Sequence, residues 1–387
     1  MSASEEPLRL ASVDLGAIRH NVRTVAALVG GAEVMAVVKA NAYGHGAVEV
    51  ARAAVEAGAT WLGVADVDEA VALRDAGLSV PVLAWLHSPQ ASFDRAVAHS
   101  IDVGVSSVAQ LDAVAAAGLR VAAGLREAGE GGAAQQPARV HLKLDTGLGR
   151  NGAEQSLWPA FFARAAELQR AGQLTVVGLF SHLSNTNDEE DRAQLERLLA
   201  GVELARVAQL EPPIIHLAST AAALRLPETR LSMIRLGIGM YGLSPFDDQT
   251  SAELGLRPAM RVEGRVISVK RVPVDSGVSY GYTYRTATES TLALVALGYA
   301  DGIPRLGSNR APVWINGEIH RVSGRIAMDQ FVADVHDAEA AVGDRVVLFG
   351  DPQDGYPSAE DWAEAAETIN YEIVTRIGAR IERRYVS

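Results

Sequence analysis

Two patterns of apolar and polar positions divide the 387-residue chain. Up to about residue 250, one rhythm repeats: a short β-branched run, then an alanine-rich stretch with apolar positions every three to four residues. The runs at 34–40, 61–65, 80–86, 101–105, 139–146, 175–182, 214–219 and 233–239 read as strands. The stretches 15–28, 46–57, 66–77, 108–118, 158–171 and 189–210 read as helices. Such alternation implies parallel strands joined by right-handed crossovers. Seven or eight units favour an α/β fold of the (β/α)8, TIM-like barrel type. An open doubly wound sheet would show the same rhythm and stays as the alternative.

Beyond about residue 255 the runs become short, β-branched and separated by turn residues: 260–270, 291–297, 311–315, 331–335 and 345–349. A mostly-β domain follows from them, with a helix near 359–368. The segment 7–10 is expected to join it, because the barrel's first helix begins so early. The expected domains are a barrel at 13–255 and a mostly-β domain formed by 1–12 and 256–387. The Gly/Ala/Gln stretch 129–136 reads as a surface loop.

Charge and composition narrow the function classes. A formal net charge of −12 argues against nucleic acid and anionic membranes as partners. No cysteine is present, which excludes disulfides, thiol catalysis and thiolate metal sites. The first ten residues lack the apolar core of a secretory signal, and no run approaches the ~18 apolar residues of a membrane span. A cytoplasmic protein is the expectation.

Barrel active sites lie at the C-terminal ends of the strands. Lys39 closes the first run, in VVKANAYGHG. It reads either as a structural lysine reaching a loop carbonyl or as a desolvated, nucleophilic lysine. The second case, a Schiff-base lysine for pyridoxal, also needs a phosphate cradle and groups that tune the ring. Tyr43 could supply a phosphate hydroxyl. In HLKLDTGLGR, alternation places His141, Lys143 and Asp145 on one face, with Arg150 behind a Gly-rich turn. That pattern suggests a polar site more than a core layer. His182, His216 and Arg235 fall at three later strand ends. Thr220 and the Gly237–Ile238 amides suit a phosphate. No metal is expected, since the histidines lack ligand spacing. The second domain adds Tyr280, Tyr299, Arg305, Arg325, Met328, Asp329 and Tyr371, too polar a set for a β core.

With these motifs in order, the whole chain resembles the alanine racemase family of fold-type III pyridoxal-phosphate enzymes. AVVKANAYGHG, HLKLDTGLGR, VSYG, GYADG, GRIAMDQF and INYE carry the resemblance. It implies a barrel plus a C-terminal β domain in a head-to-tail homodimer that interconverts L- and D-alanine, supplying D-alanine for peptidoglycan. Lys39 would bind pyridoxal 5'-phosphate and serve as one base. Tyr280 of the partner subunit would be the other. Arg235 would meet the pyridine nitrogen, backed by His216, and His182 would lie beside the ring. Tyr43, Ser219, Thr220, Gly237, Ile238 and Tyr371 would hold the phosphate. Arg150 would contact cofactor and substrate, oriented by a carbamylated Lys143. Met328 would bind the substrate carboxylate. Tyr299, Arg305, Arg325 and Asp329 would line the entry corridor.

The chain departs from the family pattern after His182. It reads Leu183-Ser184-Asn185-Thr186-Asn187, with Asn187 at a usual aspartate position, a change that bears on pocket polarity. Ser219-Thr220 replaces Asn-Ser, and Ala327 stands where many members carry cysteine. A racemase of serine or of broader range stays open. A non-catalytic pyridoxal-phosphate protein would lack the second domain. A decarboxylase would need a cysteine and an acidic partner for the pyridine nitrogen.

Overall fold

The structure, a computed structural model, describes residues 6–88, 90–127 and 137–387. The loop expected at 129–136 lies outside the described residues. Strand β1 (Arg9–Asp14) precedes eight strands: β2 (Glu33–Val37), β3 (Trp61–Val64), β4 (Val82–Ala84), β5 (Asp102–Val105), β6 (Ala138–Lys143), β7 (Leu174–Phe180), β8 (Ile214–Ser219) and β9 (Met233–Leu236). These eight are parallel and close into a barrel in chain order, with β9 returning beside β2 through Met35↔Arg235 and its neighbours. Every residue of β3, β4, β5 and β9 is buried, as strands covered on both faces require. Met35, Trp61, Leu83, Val177, Ile214 and Met233 fill part of the interior.

Strand ends differ from the sequence reading. The first strand stops at Val37, and Lys39 instead opens a helical turn, Lys39–Tyr43. Strand β7 stops at Phe180, so His182 lies two residues past it. Apolar runs extend beyond the ladder because the mouth of a barrel buries loop residues as well as strands. The helix Val108–Glu127 is longer than expected and is long and apolar enough to cross a membrane by length and composition. It is not an unbroken apolar run, since Gln110, Asp112, Arg120 and Arg126 interrupt it. The helix is the crossover between β5 and β6, and it buries Leu111, Val114, Ala115 and Ala117.

Contacts group the chain into two units. One comprises Val22–Ala40 and Ala51–Met240; the other comprises the described residues up to Asn21, then Asn41–Val50 and Tyr241–Ser387. The second unit is built on β10 (Met260–Val272), which pairs antiparallel with β1, with Ser290–Val295 and with Arg345–Phe349. The C-terminal strand Glu382–Val386, polar and unrecognised in the sequence, runs parallel to β1.

Candidate active site

The turn after β2 is left-handed. Ala40, Asn41, Ala42 and Tyr43 have φ of 52°, 53°, 52° and 51°. Non-glycine residues pay roughly 1–2 kcal/mol each for that conformation, so the turn needs anchors. Ala40 N–H donates to Glu69 Oε1 at 2.6 Å, and Ala65 N–H donates to the other Glu69 oxygen at 2.8 Å. Asn41 Oδ1 accepts from Ala47 N–H at 2.9 Å. His45 Nδ1 lies 3.1 Å from both the Ala42 and Tyr43 carbonyls and must donate to them. Burial holds His45 down to about 4, so it does so as a neutral ring. Arg383 Nε donates to Gly44 O at 2.7 Å.

Lys39 opens this turn. Burial lowers its pKa, Arg150 lowers it further, and Glu69 opposes them. Lys143, at the end of β6, is brought down to about 8 by burial, then by Arg235 and Arg150. Its Nζ lies 5.6 Å from the Phe180 ring centroid. His182 is driven to about 2 by burial, then by Arg235, Arg150, Lys143 and Lys39. Four cations therefore act on one imidazole, a positive field only partly offset by Glu69 and Asp145. Such a mouth favours an anionic ligand.

Arg235, six per cent exposed, is held from four sides. Its guanidinium donates to His216 Nδ1 at 3.1 Å, Ser181 O at 2.9 Å, His182 Nδ1 at 3.0 Å and Leu217 O at 2.8 Å. Burial, then Arg150, brings it to about 10, so it stays cationic at neutral pH. At the neighbouring strand end, Thr220 Oγ1 accepts from the Gly237 and Gly239 amides at 3.1 and 3.4 Å. A Cβ at Gly239 would fall 2.6 Å from Thr220 Cγ2, so only glycine permits that approach. Ser219 precedes Thr220 in extended backbone, and Ile238 is buried at the start of the 3-10 turn Ile238–Tyr241.

The charged triplet expected to form one polar site separates. His141 is fully buried in the barrel interior, Lys143 reaches the mouth, and Asp145 accepts from the Gly147 and Gly149 amides at 2.9 and 3.2 Å. His141 is tolerated inside because Nδ1 pairs with His216 Nε2 at 3.0 Å and Nε2 faces the Asp102 carboxylate at 3.4 Å.

The second unit holds the other candidates. Tyr43 stacks on Tyr241 with centroids 4.8 Å apart and lies 6.1 Å from Tyr371. Burial pushes Tyr43 up to about 12 and also raises Tyr371, so both keep their hydroxyl protons. Tyr280 and Arg325 are neighbours through Ser279, whose hydroxyl donates to Arg325 O at 2.6 Å. Tyr299 N–H and Ala300 N–H donate to Ala327 O and Met328 O at 3.0 and 2.9 Å. Asp329 pairs with Arg380 at 2.7 Å. Arg305 is exposed and begins the 3-10 turn Arg305–Gly307. Among the described residues no acidic, histidine or cysteine cluster could hold a metal ion.

Residues 13–245 match the family described as alanine racemase, N-terminal domain, and residues 259–385 match its C-terminal domain. The chain is 46% identical over 380 residues to the alanine racemase of Frankia casuarinae, covering 97% of this chain and 96% of that protein. The chain belongs to the alanine racemase family. Solved structures of the family agree with the fold. The alanine racemase of a D-cycloserine-producing Streptomyces lavendulae superposes with a TM-score of 0.93 at 45% identity, covering 99% and 98% of the two chains. That of Bacillus anthracis, with bound L-Ala-P, superposes with a TM-score of 0.86 at 32% identity, covering 100% and 96%.

Several residues that hold these candidates or line the barrel interior escaped sequence reasoning. Glu69, Asp102, Phe180, Tyr241 and Arg383 sit in ordinary helical or strand patterns, and only folding brings them to the turn or the barrel interior. Asn187, expected to alter pocket polarity, is the N-cap of the helix Asp188–Val207 and accepts from Glu190 N–H at 2.9 Å. Its position in front of an acidic first turn was the available signal.

Proposed function

We propose that this protein interconverts L-alanine and D-alanine with pyridoxal 5'-phosphate, by two bases acting on opposite faces of the substrate. The observation that carries the reading is Lys39, its pKa lowered, in a mouth where Arg150, Lys143 and Arg235 converge. This set fits an anionic aldehyde cofactor: an amine that loses its proton readily, cations for phosphate and carboxylate, and a buried arginine in place of a carboxylate. When bound, the cofactor supplies an electron sink for the bond broken at Cα.

The chain's own residues do the rest. Lys39 Nζ holds the cofactor and takes or returns a proton on one face. The partner subunit's Tyr280 serves the opposite face through its phenolic oxygen, so the substrate need not turn over. Arg235 would meet the ring nitrogen as a fixed cation, a partner that would leave that nitrogen unprotonated and favour proton return over side reactions. Tyr43, Ser219, Thr220, Tyr371 and the Gly237 and Ile238 amides hold the phosphate, the tyrosines as neutral donors. Arg150 and the backbone at Met328 take the substrate carboxylate. Tyr299, Arg305, Arg325 and Asp329 line the way in. Lys143, brought down to about 8, has a larger neutral fraction near neutral pH than an ordinary lysine, and the neutral amine is the form that would add carbon dioxide and lose a proton to give the carbamate that orients Arg150. The protein acts in the cytoplasm as a head-to-tail homodimer and supplies D-alanine for peptidoglycan.

The test is purified protein. It should be yellow and should bring L-alanine to the racemate, followed by circular dichroism, with serine and longer amino acids ranked beside it. In deuterated water, Tyr280→Phe should lose α-proton exchange from L-alanine and keep it from D-alanine. Full turnover of Tyr280→Phe in both directions would refute the two-base reading.

A further inference from the structure

Behind Arg235 a line of buried polar side chains crosses the barrel. His216 Nε2 lies 3.0 Å from His141 Nδ1. His141 Nε2 makes no hydrogen bond and faces Asp102 Oδ2 at 3.4 Å, an ion-pair distance. Asp102 accepts from Arg139 Nε and Nη2 at 2.8 and 3.1 Å. Asp102 is the first residue of β5, so the line runs from the mouth to the opposite end of the barrel. Exposures of His216, His141 and Asp102 are 0%, 0% and 1%. The barrel is shaped around it. A Cβ at Gly178 would fall 2.2 Å from His141 Nδ1, Trp61 meets His141 edge-on at 5.3 Å, and Phe180 stacks on His216 at 4.6 Å.

We infer that His141 and Asp102 are positioning residues for Arg235, linked to it through His216 by two hydrogen bonds that run one way and a closing charge contact between His141 Nε2 and the Asp102 carboxylate. The polarity follows from donor counting. Guanidinium has no acceptor, so His216 Nδ1 must be bare and its proton must sit on Nε2. His141 Nδ1 must then accept, which puts the His141 proton on Nε2, facing the carboxylate. A doubly protonated His141 would aim a second proton at His216 Nε2 and leave neutral His216 no place for its own. Asp102 ends the line as its only pure acceptor. Burial alone would raise the Asp102 carboxyl; the His141 and Arg139 contacts outweigh it and leave it below the ordinary range. The line thereby sets both histidine tautomers and limits rotation of the guanidinium. Its catalytic consequence rests on the proposed place of Arg235 at the cofactor nitrogen; the polarity does not.

Holoenzyme labelled with 15N in its histidine rings tests this directly. Two-bond nitrogen–proton couplings should show His216 and His141 as neutral rings protonated at Nε2. A proton on Nδ1 of either ring, or on both nitrogens, would overturn the inference even in a fully active racemase. The expected tautomers in a protein without racemase activity would keep the inference and sink the functional reading instead. His141→Leu should lower kcat roughly 10- to 100-fold, the size of outer-shell effects, and release the His216 tautomer. His141→Gln, which accepts through Oε1 and donates through Nε2, should restore both. If His141→Leu does not fold, Asp102→Asn replaces it, with the same expected losses. A folded variant of either kind with unchanged kcat and unchanged His216 signals would refute the positioning role.

Discussion

Two regions of the molecule handle polar groups in opposite ways. In the barrel, Arg235, His216, His141 and Asp102 are buried, and each makes contact with the next. On the β unit, Tyr280, Met328 and Tyr299 are 69%, 54% and 41% exposed, held by backbone contacts that leave their side chains outward. Burial forces the first set to be complete within one chain, because an unpaired buried polar group costs about 1–3 kcal/mol. Exposure removes that demand from the second set, which can be completed by a second copy of the chain. Damage to the first should therefore alter both stability and chemistry, and damage to the second chemistry alone.

The largest effect that would break this contrast is at Lys39. Lys39→Ala should abolish covalent cofactor retention after borohydride and lower turnover by about 10³-fold or more; a variant that still carries reduced cofactor would sink the assignment. Next comes Tyr280→Phe, expected to lose roughly 10²- to 10⁴-fold in racemisation in both directions with thermal unfolding unmoved. A large drop in melting temperature would show that the exposed set is structural after all. Gly178→Ala should do the reverse. Its methyl group overpacks His141, so stability should fall by about 1–3 kcal/mol along with kcat, measured by denaturant unfolding and racemisation.

A subtler expectation concerns pH. Lys143 falls to about 8 in the folded chain, below the ordinary lysine value of 10.5. Between those values the unfolded chain binds more protons, so this lysine makes stability rise with pH there, and its full burial cost is present below about 8. In protein freed of carbon dioxide, where Lys143 is a free amine, Lys143→Met should flatten that rise in denaturant titrations; parallel curves for the two proteins would contradict it. The smallest effect is expected at Asn187. Asn187→Ala should cost about 1 kcal/mol as a lost cap with KM unchanged for alanine, and a shifted KM for larger amino acids would place the residue in the substrate route.

Much of this was legible in the chain. Periodicity located all eight barrel strands, because strands buried on both faces stand out as unbroken apolar runs. Motifs identified the family and drew attention to Lys39, Lys143, Arg150 and Arg235. Strand ends were legible only to within a few residues, as at Lys39 and His182, since apolar loop residues at the mouth resemble strand. The C-terminal strand Glu382–Val386 was missed because its side chains are mostly exposed and charged.

What the sequence determined by itself was the order of elements and the family, both carried by local pattern and spacing. The tertiary structure alone decided the left-handed turn that presents Lys39 and the line from Arg235 to Asp102. Asp102 and His216 are 114 positions apart in the chain. No periodicity joins them; barrel closure and exclusion of water do, since buried donors and acceptors must then find one another.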